Sequence, residues 1–404
     1  MKNASVIRLT FFFATAFLWI GCSGSILPTR QTATLVSDQE NITRQIEIPA
    51  NVKILEFHHA GGDLSIVGWD QPYILIEGVI RASAETVNMA RAIIEMVEVV
   101  AYERPTNRLV LEYEGPAGFA RGKIPEEGMD YTAKVPRGMI LDVYSENGAV
   151  SVSNIKNDLF VEQKEGNVRV NSISGSVLVK AAGKKKAGQK VEIASIERRL
   201  TLNSRFVDVT LSKVQGDAEL RHSDGELIAS DIDGKLTVQG GKSPIQLNRI
   251  QGFIQLDNHV GDVVCNGFYD GIRAEVKKGA LLLAPKVPVV RPYDCQVIDG
   301  NLTFRIPDNS SMMMELMAIN GSIHSEFPMQ VSAEGKVSYA KGAIGQGQGF
   351  PMVRLNVDDG GIMVLRDIPV PASTRSSAGG DSFAPKITTE GAIPVGDLES
   401  TAVE

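Results

Sequence analysis

One short stretch constrains this chain more than any other: residues 166–175 read GNVRVNSISG, with apolar residues at the second, fourth and seventh places after the first glycine. The cadence then repeats. With Gly148 as position zero, zeros recur at 157, 166 and 175, and again at 189, 198, 207, 216, 225, 234, 243, 252 and 261. Thirteen nonads share this frame, with one interruption, the five residues KKKAG at 184–188, which read as a loop inserted between two strands. Positions two and four are apolar or small almost throughout, from Val150/Val152 through Leu200/Leu202 and Ala218/Leu220 to Val263/Cys265. An alternation of period two is a strand showing one face to a core.

Position seven carries more information. In order it is Ile155, Lys164, Ile173, Ala182, Ile196, Arg205, Val214, Ser223, Ile232, Gly241, Ile250, His259 and Phe268, so large apolar residues alternate with polar or small ones. The true repeat is therefore eighteen residues, a coil with two unlike halves, one with a dry corner and the other wet. Strands stack ~4.8 Å apart, so six and a half coils span roughly 30 Å. The expected fold is all-β: a single β-solenoid, of the β-helix or β-roll kind, that buries its core only by stacking and needs caps at its ends. Glycine at position zero in eight of the thirteen nonads predicts tight turns with positive φ.

The flanks supply the caps. Residues 47–82 contain short strands around GGDLSIVGWDQPYILIEGVI, and Ser83 is placed to cap a short helix with Ala90, Ile93, Ile94 and Val97 on one face. Strands VEVVAYE and RLVLEYE follow, and beyond Cys295 the strand pattern returns less regularly. The domain division is 1–22 signal, 23–45 linker, 46–135 N-terminal strands and capping helix, 136–368 solenoid, and 369–404 a tail rich in Pro, Gly, Ser and Thr that reads as disordered.

The first 22 residues place Lys2 and Arg8 ahead of and beside an uncharged run from Leu9 to Gly21, an export signal too short for a good membrane span. It ends LWIGCSG, which resembles the lipidation box of bacterial lipoproteins, with Cys22 as the acylated residue and Trp19 in place of the usual leucine. Several acyl chains at ~0.8 kcal/mol per buried CH₂ make a stable anchor. Ser23 rather than an aspartate follows, which by that resemblance implies an outer-membrane or surface address. Loss of Lys2 and Arg8 takes the formal charge from −7 to −9, against nucleic acid as a partner.

The order of features is itself specific: LSIVGWDQPYILIEG, a short helix, YTAKVPRGMILDVYSENGAVSVSNI, the nonad ladder, NLTFRIPDNSSMMMELMAINGSIHSEFP and a closing VRLNVDDGGIMVLR. Over roughly residues 45–368 the chain resembles the bacterial "putative-adhesin" domain family, β-solenoids that include adhesin-like lipoproteins. That resemblance implies a fold and no catalytic residues.

Four constellations bear on chemistry. Calcium-binding nonapeptide rolls need paired glycines with an aspartate, and turns such as KEGN, VQGD and SDGE lack them. The acidic run Asp217, Glu219, Asp224, Glu226, Asp231 and Asp233, with Arg221 and His222 nearby, falls mostly on outward places or turns and reads as a solvated face rather than a glycosidase pair. His58 and His59 are adjacent and so point to opposite strand faces, which excludes one shared metal. Cys265 faces inward at position four, and with Cys295 forms either a disulfide or two buried thiols.

The polar position-seven residues Lys164, Arg205 and His259, close to the loop lysines Lys184, Lys185 and Lys186, form an edge suited to an anionic glycan, lipid headgroup or wall polymer. A wet corner that merely tolerates polar residues is the plainer reading of the same ladder. The sequence thus predicts a non-enzymatic, exported, lipid-anchored binding surface at the cell envelope, without metal or cofactor, whose partner is a glycan or protein. The alternatives are a carbohydrate-active β-helix enzyme, for which two Trp, eight Tyr and fourteen Phe supply few sugar platforms, and an envelope-stress or scaffold component acting through a partner protein.

Overall fold

The computed structural model describes residues 36–114, 128–185, 188–346 and 350–367. The signal with Cys22, the tail from 369 and Lys186 lie outside these residues. Every nonad strand forms where the period-two pattern places it, and the strands sort into two long sheets, fifteen and sixteen strands wide among the described residues. Nonads with an apolar seventh residue, such as Val150–Ile155 and Val168–Ile173, belong to the fifteen-stranded sheet; those with a polar or small one, such as Leu159–Gln163 and Val177–Ala182, belong to the other. Within each sheet the nonad strands are parallel with an eighteen-residue register, Leu159 opposite Val177 and Leu227 opposite Ile245. Across the KKKAG insertion the step becomes twenty-three, Val168 opposite Val191, so the loop is accommodated without a register shift. The β-solenoid is borne out.

The two halves of a coil differ for a backbone reason. In the fifteen-stranded sheet the sixth residue of each nonad is left-handed: Asn154, Ser172, Ser195, Lys213, Asp231 and Arg249 all have φ between 54° and 60°, and Gly267 follows at 70°. One residue in this conformation shifts the pleat by one step. Positions two, four and seven then face inward, and Ile155, Ile173, Ile196, Val214, Ile232, Ile250 and Phe268 are all buried. The sixteen-stranded sheet has no such kink at that place, its pleat runs on, and position six turns inward while position seven turns out. Each fully buried aliphatic side chain contributes ~1.5–3 kcal/mol, and no coil can bury its own without neighbours.

Glycine at position zero serves two needs. Gly148, Gly166, Gly225 and Gly261, at the wet corner, do have positive φ. At the dry corner the expectation is corrected: Gly175, Gly216, Gly234 and Gly252 are absent from the positive-φ set, and the need there is space, since a Cβ on Gly234 would lie 2.4 Å from the carbonyl carbon of Gly216.

Both ends are closed by chain that leaves the regular path. The first coil is already present in Ile54–His59 and Leu64–Trp69, which pair in parallel with Ile140–Ser145 and Val150–Ile155. The solenoid stack therefore starts well before residue 136; Arg108–Glu114 and Gly128–Pro136 join this first coil in parallel, and Glu98–Arg104 and Tyr73–Ala84 pair antiparallel on their outer edges, with the helix beside them. The strand Val36–Glu47 occupies part of the stretch read as linker and pairs along its whole length with Tyr73–Ala84. That pairing also holds Ser83 in a strand, so the helix Val87–Glu95 is capped by Thr86, whose Oγ1 accepts from the backbone N–H of Met89. Ala90, Ile93 and Ile94 are its buried face, as the pattern predicts. At the other end the last coil, Met352–Asp359 and Ile362–Arg366, inserts between its predecessors, and the antiparallel strands Val337–Ile344 and Gln330–Glu334 close the sixteen-stranded sheet. The outermost strands here, Gln330–Glu334 and Ile323–Ser325, are short, which blunts the edges as templates for further strands.

Candidate functional site

The wet corner is built from three consecutive positions. Positions five and seven of the sixteen-stranded sheet point outward as two rims, and position six between them points into the core. Where position seven is small, at Ala182, Ser223 and Gly241, the corner is hollow, and a groove of about 600 Å³ runs along it. Lys164, Lys180, Arg205 and Arg221 stand on its rims, and Ala181, Ser204, His222 and Gly240 lie between them. Its N-terminal end continues into a second hollow of about 420 Å³ that shares Glu162 and Lys164 and also takes in His58, Tyr144 and Glu146.

The structure therefore brings Lys164 and Arg205 together on one groove. His259 stands on the same edge but beyond the groove, its Nδ1 donating to the Gly240 carbonyl at 3.3 Å and its Nε2 accepting from Lys277 at 2.9 Å. Lys184 and Lys185 leave from the same corner, and Lys184 is tied to Glu165 at 2.6 Å. Lys180 and Arg221, which the position-seven reading missed, sit at position five, where a cation looks like any exposed strand residue.

Position six holds the least expected feature. His59, Ser145, Gln163, Ser204, His222 and Asn258 occupy it, all buried, in a column that follows the sheet register. The long ones do one job. His59 Nε2 donates to the Gly62 carbonyl at 2.9 Å, His222 Nε2 to Gly225 at 3.0 Å and Asn258 Nδ2 to Gly261 at 3.0 Å. In each case a side chain satisfies the turn carbonyl three residues on, which buried strand ends otherwise leave without a partner. The signal was a His, Asn or Gln shortly before the wet-corner glycine, in the half of the coil whose position seven is polar.

His222 Nδ1 also accepts from the Ser204 hydroxyl at 2.8 Å. A serine beside a neutral histidine is the starting arrangement of nucleophilic catalysis. Here the other ring nitrogen is spent on a backbone carbonyl rather than a carboxylate, both residues are buried, and the same turn contact recurs with His59 and Asn258 where the partner differs. The arrangement is a turn brace. Burial holds both His59 and His222 below the ordinary histidine range, so the rings are neutral donors.

Part of the acidic run is likewise occupied. Asp217 Oδ1 accepts from the backbone N–H of Lys235 at 2.9 Å, and Asp208, Asp158 and Asp262 make the same strut to the next coil. Asp231 forms a two-point pair with Arg249, at 2.6 and 2.7 Å, which pulls its carboxyl below the usual range. Glu219 pairs with Arg221 at 3.0 Å. His222, grouped with this run by sequence, is buried while the carboxylates face out.

His58 and His59 do point to opposite faces. His58 is outward, bonded to Glu56 at 2.7 Å and stacked on Tyr144 with ring centroids 5.0 Å apart. Burial alone would raise the Glu56 carboxyl, but the bonds from His58 and Arg108 and the charge of Arg104 bring it below its ordinary value. No group of three or more His, Cys, Asp or Glu suited to a metal occurs among the described residues. Cys265 and Cys295 are free, fully buried thiols, from opposite sheets, so of the two alternatives the structure has the thiols; burial pushes Cys265 up to about 12 and raises Cys295 as well.

Residues 123–365 match the family model described as Toastrack DUF4097, well over half of the chain. The chain belongs to this family. A Toastrack assignment agrees with the resemblance read from the sequence and with the stacked parallel sheets. Among solved structures, a "putative cell adhesion protein" from Clostridium sporogenes is similar at 11% identity, covering 82% of this chain and 100% of its own, with a TM-score of 0.22. A "putative lipid binding protein" from Parabacteroides distasonis has 12% identity over 65% of this chain and 96% of its own, TM-score 0.35. A "putative adhesin" from Bacteroides fragilis has 14% identity over 81% and 97%, TM-score 0.26. No curated protein matches this Toastrack chain.

Proposed function

We propose that this Toastrack protein is an exported, lipid-anchored component of the cell envelope that acts as a non-catalytic, adhesin-like binding surface, with the wet-corner groove as its contact with an anionic partner. The observation that carries this reading is the groove itself: a concave strip along several coils whose rims carry Lys164, Lys180, Arg205 and Arg221 on a chain that is acidic overall. Electrostatic complementarity at a concave strip favours an extended partner of opposite sign. In support of the non-catalytic reading, Ser204 and His222 are held in a buried turn brace, and Asp217 and Asp231 in a strut and an ion pair. Anchoring rests on the sequence around Cys22.

Two experiments test the two parts. Palmitate labelling with protease shaving of intact cells should show label that disappears in Cys22→Ala; an unlabelled, freely soluble protein removes the anchor. Charge reversal of Lys164, Arg205 and the lysine loop should abolish retention on isolated envelope glycan. Unchanged retention would instead favour a scaffold role through a protein partner.

A further inference from the structure

The groove has an order that its composition does not convey. Four consecutive coils each give it one cation, and the cations alternate between the rims: Lys164 at position seven, Lys180 at five, Arg205 at seven, Arg221 at five. Across the groove from them stand Glu162, Ala182, Asn203 and Ser223, none of them a cation. Strand spacing places successive cations ~4.8 Å apart along the groove and those of one rim roughly 10 Å apart. Three of them rest on carboxylates, Lys164 on Glu146 at 2.7 Å, Lys180 on Glu162 at 3.3 Å and Arg221 on Glu219 at 3.0 Å, with each cation about half exposed or more. Exposed pairs of this kind are weak, so an incoming anion can replace them. Arg205 makes no ion pair among the described residues and lies over the Phe206 ring at 4.6 Å.

The N-terminal end of the groove is aromatic. His58 and Tyr144 stack 20° from parallel, Tyr144 meets Phe160 at 5.3 Å, and Lys180 sits over Phe160 at 5.1 Å. All three rings are half-buried on the outer face of the sheet, and His58 and Tyr144 line the hollow that joins the groove through Glu162 and Lys164.

We propose that the groove binds a linear acidic polysaccharide of the polyuronate type, laid across the strands with one sugar ring per coil. In an extended ribbon with two-fold alternation, successive carboxylates project to opposite sides, which is the order in which the rims present their cations. The ring at the leading end lies against the exposed parts of the Tyr144 and His58 rings, which offer apolar contact to the C–H groups of a pyranose. A polyphosphate supplies the charges but has no C–H groups for that contact, and an anionic bilayer presents a plane rather than a line. This inference rests on the binding-surface reading above and names its ligand class.

The test is calorimetric titration of the full mature chain with β-1,4-linked oligouronates from disaccharide to octasaccharide, beside inorganic polyphosphate and vesicles containing anionic lipid. Affinity for the oligouronates should climb with length up to about the number of coils that line the groove and then level off, and should fall with salt. Arg205→Glu with Arg221→Glu should lower it roughly tenfold or more, because charge-assisted bonds are lost and repulsion replaces them. Tyr144→Ala should weaken the oligouronate several-fold and leave polyphosphate unchanged. All three residues are outward, and circular dichroism checks that each variant folds. Equal affinity for disaccharide and octasaccharide, or indifference to either variant, overturns the proposal. If polyphosphate or vesicles bind in an Arg205- and Arg221-dependent way while oligouronates do not, the ligand class falls and the groove reading stands; if no anion binds, both fall.

Discussion

His222 shows how much a single inward position decides. Burial keeps it neutral, below the ordinary value of 6.5, and His59 is held the same way. Between the depressed folded pKa and 6.5 the unfolded chain binds more protons than the folded one, so stability is full above about 6.5 and falls as pH drops below it. Urea midpoints measured from pH 7.5 downward should decline in that window, well before carboxylates such as Asp231 are protonated. His222→Asn should flatten part of the decline, since Asn258 already makes the same carbonyl contact in its own coil. His222→Leu strands the Ser204 hydroxyl and the Gly225 carbonyl and should cost ~1–3 kcal/mol at pH 7.5, and less as pH falls, because leucine takes up no proton on unfolding. A midpoint that ignores pH between 7.5 and 5 would contradict the burial argument. The thiols make a parallel case: Cys265 and Cys295 should resist alkylation at neutral pH until denaturant opens the stack, and the mass should not change with reductant. Rapid labelling of the native protein would show that the core there is open.

At the scale of one strand, the left-handed sixth residue is what gives the dry corner. It allows Ile173 and its counterparts to enter the core two residues after an outward one, and it exists in one sheet only. Ser195, with φ at 58°, is part of that column. Ser195→Val forces a β-branched residue into this region and should cost ~1–2 kcal/mol, while Ser195→Gly should leave stability unchanged or slightly higher. Equal thermal midpoints for the two variants would mean that the strand can bend in another way. The alternation at position seven was legible in the sequence, because it is a matter of size and polarity. The kink behind it was not: Asn, Ser, Lys, Asp and Arg share no side-chain property that announces a positive φ.

Over the whole molecule, every inner coil is clamped on two sides and every end coil on one. Hydrogen exchange should therefore be slowest in strands such as Val209–Leu211 and Leu236–Val238, and faster in Gln330–Glu334, an edge strand with all five residues exposed. Uniform protection from end to end would instead indicate one cooperative unit. The caps explain why the domain limits read from the pattern were imperfect. A strand from 36–47 and the first coil at 54–69 are continuous with the stack in space, although irregular sequence separates them from it.

The sequence by itself determined the period, the two unlike halves of each coil, the inward pairs from Val150/Val152 to Val263/Cys265, and the edge on which Lys164 and Arg205 meet. These follow from which side chains leave water, and hydropathy records that directly. Tertiary structure alone decided that Lys180 and Arg221 share the groove and that His58, Tyr144 and Phe160 adjoin it. It also decided that position six in one sheet is a buried polar column that reads, residue by residue, like surface. Each of these depends on neighbours eighteen or more residues away and on the phase of the pleat, which a left-handed residue resets in one sheet and leaves alone in the other.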